Sequence, residues 1–358
     1  MTFPDQLLHY KQMLDTDITR QSQDLLKQTG NEYGSFSHDS LAAFTNILSR
    51  GGKRLRGALV MASYEMLGGR DSAMIIQVAR AVEMIHAYLL IIDDIADNSA
   101  VRRGGPSAHT LLATHHQTNQ LQGNSQHFGT SAATYAALIG FYEAEGILMQ
   151  LELPATLKLQ LLEQLRSTLI TTYHGQLLDT YNEATGTEDE TKALRVSELK
   201  TAYYSIVNPL QVGALLAGGT PNDFSLLQEY GQQAGIAFQI SDDIMGIFGN
   251  EAKTGKSAKD DLREGKRTIL ITYTLTHANA HQRQQLLSIL GKADVTDNEL
   301  LAARQIIEAT GGLTYAKQTI QMYVQKAQEV LKTAPAHWDK AKIQFLTDLA
   351  HSLVDREV

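Results

Sequence analysis

The chain has 358 residues, 43% of them hydrophobic, enough to bury a large core, and a formal net charge of −8 without a basic arm, which argues against a nucleic-acid partner. It contains no cysteine, so disulfides, thiolate metal sites and cysteine nucleophiles are excluded, and a reducing, cytoplasmic setting is the expectation. The opening MTFPDQLLHYKQ does not read as a secretory signal, and apolar runs such as Ala87 to Ile92 are too short for a bilayer, so no membrane span is expected.

Proline is scarce, with 6 residues and none between Pro4 and Pro106 or between Pro221 and Pro335. Because proline breaks helix interiors, these stretches favour helices. Apolar periodicity predicts helices over roughly 39–49, 55–67, 73–97, 127–150, 155–182, 192–217, 223–248, 268–290, 297–310 and 313–332. The 73–97 segment carries Val78, Val82, Ile85, Leu89 and Ile92 at steps of four and three, after Gly68 and Gly69 and the candidate N-caps Asp71 and Ser72. Polar, glycine-bearing breaks fall at 28–38, 98–106, 116–126, 183–191 and 249–266. None is long or biased enough to be a domain linker, and no strand rhythm or repeat is evident. The expectation is one all-α domain over residues 1–358.

Charged residues gather where the apolar segments end. Asp93 and Asp97 are four apart on the predicted helix and share a face, with Asp94 about 100° round from Asp93. A hard divalent cation relieves repulsion among such carboxylates, and oxygen ligands with room for water and phosphate suit Mg2+. A lone DDxxD reads as a solvated acidic helix end; the apolar run before this one points instead to a cavity rim. Arg102 and Arg103 follow, offering forked donors to phosphate oxygens. A second acidic pair, Asp242 and Asp243, precedes a loop with Lys253, Lys256, Lys259, Arg263, Lys266 and Arg267. A third cluster holds Arg50, Lys53, Arg54 and Arg56 between two apolar helices. Each alone reads as an ordinary charged loop. Two acidic helix ends plus several basic loops are together what a diphosphate–metal site requires. His115 and His116 read as part of a solvated polar loop.

GGKRLR (51–56), His86, DDIAD (93–97), RRGGP (102–106), GQLLD (175–179), Lys200–Thr201, FQISDD (238–243) and TGK…DDLREGKRT (254–268) stand in an order that resembles the trans-isoprenyl diphosphate synthase (polyprenyl synthetase) family. The likeness covers about residues 40–275 and leans to the short-chain farnesyl and geranylgeranyl diphosphate synthases. It implies a helical bundle of the isoprenoid synthase type around a central apolar cavity, a homodimer, and condensation of isopentenyl diphosphate with an allylic diphosphate. By the same resemblance, Lys53, Arg56 and His86 bind the isopentenyl diphosphate headgroup. Asp93, Asp94 and Asp97, with Asp242 and Asp243, hold three Mg2+ on the allylic diphosphate. Arg102 contacts the allylic diphosphate and Arg103 the isopentenyl one. Lys200, Lys256 and Lys266 reach the allylic diphosphate, Gln176 belongs to the substrate-binding set, and Thr201 and Gln239 face the developing cation.

The chain departs from the family pattern at Gly246, where a third aspartate is usual, and at Ile92, Ala137, Leu138 and Gly57, the last replacing a common proline. Tyr88 and Leu89 lie about one helical turn, ~5.4 Å, before Asp93, where a growing tail would descend. A bulky Tyr88 there implies short products, about C15 to C20; the alternative is that Tyr88 packs in the core. A longer-chain synthase is a further reading. A class I terpene cyclase would need Ser or Thr near 246 and Glu near 250, where this chain has Gly246 and Asn250. A non-catalytic subunit of a heteromeric synthase should have lost its acidic ligands.

Overall fold

The computed structural model describes residues 2–250 and 257–354. The helices are α1 (Phe3–Tyr33), α2 (Ser35–Ser49), α3 (Leu55–Met66), α4 (Ser72–Ala96), α5 (Ala108–Thr118), α6 (Ser125–Gln150), α7 (Ala155–Thr185) and α8 (Glu190–Val196). A π-helix (Ser197–Val207) runs directly into α9 (Asn208–Leu216). Then come α10 (Pro221–Phe248), α11 (Asp260–Glu264), α12 (Ile269–His277), α13 (Ala280–Ile289), α14 (Asp297–Ala309), α15 (Gly312–Lys332) and α16 (Lys340–Val354). The all-α expectation holds; among the described residues the only strands are a two-residue hairpin, β1 (Val101–Arg102) paired with β2 (Gly105–Pro106).

The described chain forms two compact units, Met1–Met61 with Arg70–Leu162, and Ala62–Gly69 with Glu163–Val358. In the first unit α4 packs on α6, α2 and α1, and α5 packs on α6. Asp71 caps α4, accepting from the Met74 N–H at 2.9 Å. Helix α4 then buries a nearly unbroken run from Val78 to Ala87, each large apolar side chain contributing ~1.5–3 kcal/mol. By length and mean hydropathy, 1.7, it could cross a membrane, but 72% of its apolar window is buried inside the protein, as for a core helix. In the second unit α10 packs on the π-helix and on α15, and α15 on α16. Its start is a capping box between Thr220 and Asp223, and Asp223 also accepts from the Trp338 indole at 2.7 Å.

Three differences from the sequence expectation stand out. Helix α1 continues through Gly30, and α2 begins two residues after it ends, so the break at 28–38 shrinks to Gly34. The predicted 268–290 helix is two, because Ala278 takes an extended conformation and Asn279 caps a new start. His115 and His116 lie in the last turn of α5, not in a loop. His116 is buried, its Nε2 3.0 Å from the Gln122 carbonyl, with its ring against Phe128.

Candidate active site

In the first unit the end of α4 carries Asp93 and Asp94, with Asp97 as its C-cap, whose N–H bonds back to the Asp93 carbonyl at 2.8 Å. Asp94 is fully buried, and the Arg102 guanidinium clasps it: Nε donates to Oδ1 at 2.7 Å, and Nη2 donates to the same oxygen and, at 3.3 Å, to Asp93. Burial works against the Arg102 charge, yet the aspartates hold its pKa above the ordinary arginine value. Among the described residues no three carboxylate or imidazole groups already converge on a point as ligands of one ion. Arg102 here supplies the positive charge that close carboxylates require. The oxygen-only donor set and its half-exposed Asp93 suit a Mg2+ ion that keeps water and phosphate ligands.

Arg103, the next residue, goes elsewhere. The hairpin turns through Arg103 and Gly104, with φ of 52° and 72°, the two left-handed residues of a tight two-residue hairpin loop. Arg103 Nη1 donates to the Ile47 and Arg50 carbonyls at 3.2 and 3.3 Å, and its Nη2 lies 3.3 Å from His86 Nε2. Arg56 approaches the same nitrogen at 3.1 Å. Burial, then the charges of Arg56, Arg103, Arg102 and Arg54, push the His86 pKa well below its ordinary value, so the ring is a neutral acceptor. Lys53 is exposed and Arg50 ties the hairpin down, donating to the Arg102 and Pro106 carbonyls at 3.0 and 2.5 Å. The sequence-predicted Lys53, Arg56, His86, Asp93, Asp94, Asp97, Arg102 and Arg103 thus all belong to this one unit. Tyr88 and Leu89 lie between the two polar clusters, half-exposed just after the buried run from Val78 to Ala87, and Tyr88 packs on Phe141 of α6 with ring centroids 5.1 Å apart.

In the second unit Thr201, Gln239 and Asp243 form a chain. Thr201 Oγ1 donates to Gln239 Oε1 at 2.5 Å, and Gln239 Nε2 donates to Asp243 Oδ1 at 2.7 Å. Thr201 and Lys200 stand on the π-helix, whose wider turn is a frequent mark of functional sites. Pro209, just beyond its end, lacks the N–H that an α pattern would use. Lys200 pairs with Asp179 at 2.8 Å, and Gln176 lies one turn before Asp179 on α7. Lys266 pairs with Glu264 at 2.7 Å. Lys256 lies outside the described residues.

Asp243 is buried, and this burial, with the nearby charges of Asp261 and Asp242, raises its pKa to about 8 against the pull of Gln239 and Lys266. A carboxylate so placed is ready to trade its proton for a divalent cation. Gly246 explains the missing third aspartate: a Cβ at that position would overlap the Asp261 carboxylate. The room is filled by an acid from α11. This exchange has no local cue, because the two residues are 15 positions apart.

Residues 39–307 match the polyprenyl synthetase family model. The chain belongs to the polyprenyl synthetase family. It is therefore a prenyltransferase. It is 32% identical to the geranylfarnesyl diphosphate synthase of Aeropyrum pernix, over 91% of this chain and 97% of that one. It is 30% identical to a (2E,6E)-farnesyl diphosphate synthase of Mycobacterium bovis, over 86% of this chain and 80% of that one. Its fold superposes with a TM-score of 0.91, at 30% identity and over 100% of both chains, on a geranylgeranyl pyrophosphate synthase from Corynebacterium glutamicum solved with isoprenyl diphosphate and magnesium. The family match begins at residue 39, so α1 lies outside it.

Proposed function

We propose that this family member condenses isopentenyl diphosphate with an allylic diphosphate, head to tail and with Mg2+, to give a short-chain trans-prenyl diphosphate, C15 to C20 favoured within the C15–C25 span of its relatives. The observation that carries the reading is the parting of Arg102 and Arg103. One guanidinium joins a carboxylate cluster suited to a metal-bound diphosphate, and its neighbour joins a cluster of arginines around a neutral histidine, suited to a second diphosphate without metal. Two anions held in two ways on one helix, α4, fit a two-diphosphate substrate pair.

Asp93, Asp94, Asp97, Asp242 and Asp243 are the proposed ligands of three Mg2+ on the allylic diphosphate. When bound, the metal neutralises charge building on the departing diphosphate. Arg102, Lys200, Lys256 and Lys266 add cationic contacts to that leaving group, with Gln176 beside them in sequence order. Lys53, Arg56, His86 and Arg103 hold the isopentenyl diphosphate. Thr201 and Gln239 present oxygens to the allylic cation, their orientation held by the hydrogen-bond chain to Asp243. The apolar Tyr88 and Leu89 border the growing tail and exclude water from the cation. Residues 1–358 work as one catalytic domain, in the cytoplasm.

A homodimer is part of the proposal. Helix α6 exposes Tyr135, Ile139, Tyr142 and Met149, at steps of four, three and seven, as one apolar stripe that a second copy would cover. The test is incubation with Mg2+, radiolabelled isopentenyl diphosphate and dimethylallyl, geranyl or farnesyl diphosphate. Longer diphosphates support the reading, hydrocarbons indicate a cyclase, and no product indicates a non-catalytic subunit.

A further inference from the structure

Arg54 sits between Lys53 and Arg56, yet it turns into the protein. Its side chain is 2% exposed, its Nε donates to Asp15 Oδ1 of α1 at 2.7 Å, and its Nη1 lies 3.5 Å from Glu83 Oε2 of α4. Glu83 is equally buried, and its other oxygen accepts the Gly57 N–H at 2.9 Å. Lys11 pairs with Asp15 from the adjacent turn of α1. A second tie joins the same helices, Arg80 Nη1 donating to Asp17 at 2.5 Å.

Two features show that this arrangement shapes the basic loop. Arg54 has φ of 51°, a left-handed conformation that costs a non-glycine residue free energy and persists only where its surroundings over-determine it. The ion pairs to two different helices do so. Gly57, which replaces the family's common proline, is used twice: proline has no N–H for Glu83, and a Cβ would come within 2.7 Å of Leu14 Cδ1 of α1. Glu83 stands one turn before His86 on α4, so the carboxylate that anchors the loop shares a face with the imidazole that Arg56 meets.

We infer that Asp15, Arg54 and Glu83 are positioning residues for isopentenyl diphosphate: an ion cluster, buried at Arg54 and Glu83, through which α1, outside the family match, fixes the loop that presents Lys53 and Arg56. The inference rests on the reading of Lys53, Arg56 and His86 as that headgroup's pocket.

The experiment measures binding of isopentenyl diphosphate to the full chain by calorimetry without an allylic partner, so that no turnover contributes, and KM for each substrate separately. Lys53→Ala tests the pocket itself. Arg54→Met and Asp15→Asn test the positioning, and each should weaken isopentenyl diphosphate roughly tenfold with the allylic KM within about twofold, as for a displaced contact. Arg54→Lys, which keeps the charge, should recover part of the loss. If Lys53→Ala binds normally, the pocket is misassigned and the inference falls with it. If Lys53→Ala weakens binding while folded Arg54→Met and Asp15→Asn bind like the parent, only the positioning role is overturned. Should Arg54→Met fail to fold, Asp15→Asn decides, because Asp15 is 35% exposed and its loss leaves a smaller buried defect. An equal rise in both KM values there would mark a merely structural role and overturn the inference.

Discussion

At the end of α4 two aspartates are held by a guanidinium, whose own charge they stabilise against burial. At the end of α10 a buried aspartate stands beside two more, Asp242 and Asp261, and keeps its proton up to about pH 8. The same residue type, after the same kind of apolar helix, is balanced by a fixed cation in one place and by protonation in the other. The contrast follows from what each loop delivers: the hairpin brings Arg102 to α4, whereas α11 brings a further carboxylate to α10. Acidic motifs that look alike in sequence therefore meet different counter-charges.

The largest effect should come from the α4 end. Asp93→Ala should lower condensation by roughly 10²–10³-fold, in the range for losing a preorganised electrostatic contact, with helical circular dichroism unchanged. Near-normal incorporation of radiolabelled isopentenyl diphosphate would remove this cluster from the mechanism. Stability should then separate the two ends. Asp94→Asn leaves Arg102 buried without its main partner and should cost about 3–5 kcal/mol in denaturant unfolding. Asp243→Asn should do the reverse in protein stripped of metal with a chelator. The folded pKa of about 8 lies above the ordinary 3.8, so the folded state binds the extra proton in that window. The stability this group contributes is complete below pH 3.8 and is lost as pH rises through 8. The asparagine variant should match the parent near pH 4 and exceed it at pH 9; parallel curves across that range would show that Asp243 is charged throughout.

His86 should give a smaller signal of opposite sign. Its folded pKa is depressed, so below about pH 6.5 the unfolded chain takes up a proton that the folded one refuses. The unfolding free energy should fall from pH 7 towards pH 5, by at most about 1.4 kcal/mol per pH unit from this group. His86→Gln, a neutral acceptor, should flatten the slope; an unaltered slope would place the titration elsewhere. The smallest change is one of length. Tyr88→Ala removes a ring that packs on Phe141 and opens about one helical turn, ~5.4 Å, so chromatography should show products longer by an isoprene unit. An unchanged product ladder would take Tyr88 out of chain-length control.

Much of this was legible in the sequence where apolar spacing is dense. Helix α4 and its Asp71 cap follow the pattern of Val78, Val82, Ile85, Leu89 and Ile92. Helix α1 was not legible: its 31 residues bury only Tyr10, Leu14, Ile18 and Thr29, a stripe too thin to stand out from polar loop. The charged motifs single out residues but not their partners. Nothing in GGKRLR says that Arg54 turns inward while Lys53 stays exposed, because that choice depends on Asp15, 39 positions away. Nor does Gly246 announce Asp261. Long-range ion pairs have no local signature, so their geometry had to come from the fold.

The hairpin at 101–106 sorts two adjacent guanidiniums by side, through two left-handed residues and a strand whose side chains alternate. Deleting a single residue from it would slip the register and reverse that assignment, sending the arginine meant for the aspartates towards the histidine. The loop's length, more than its composition, is therefore what keeps the two guanidiniums with their separate partners.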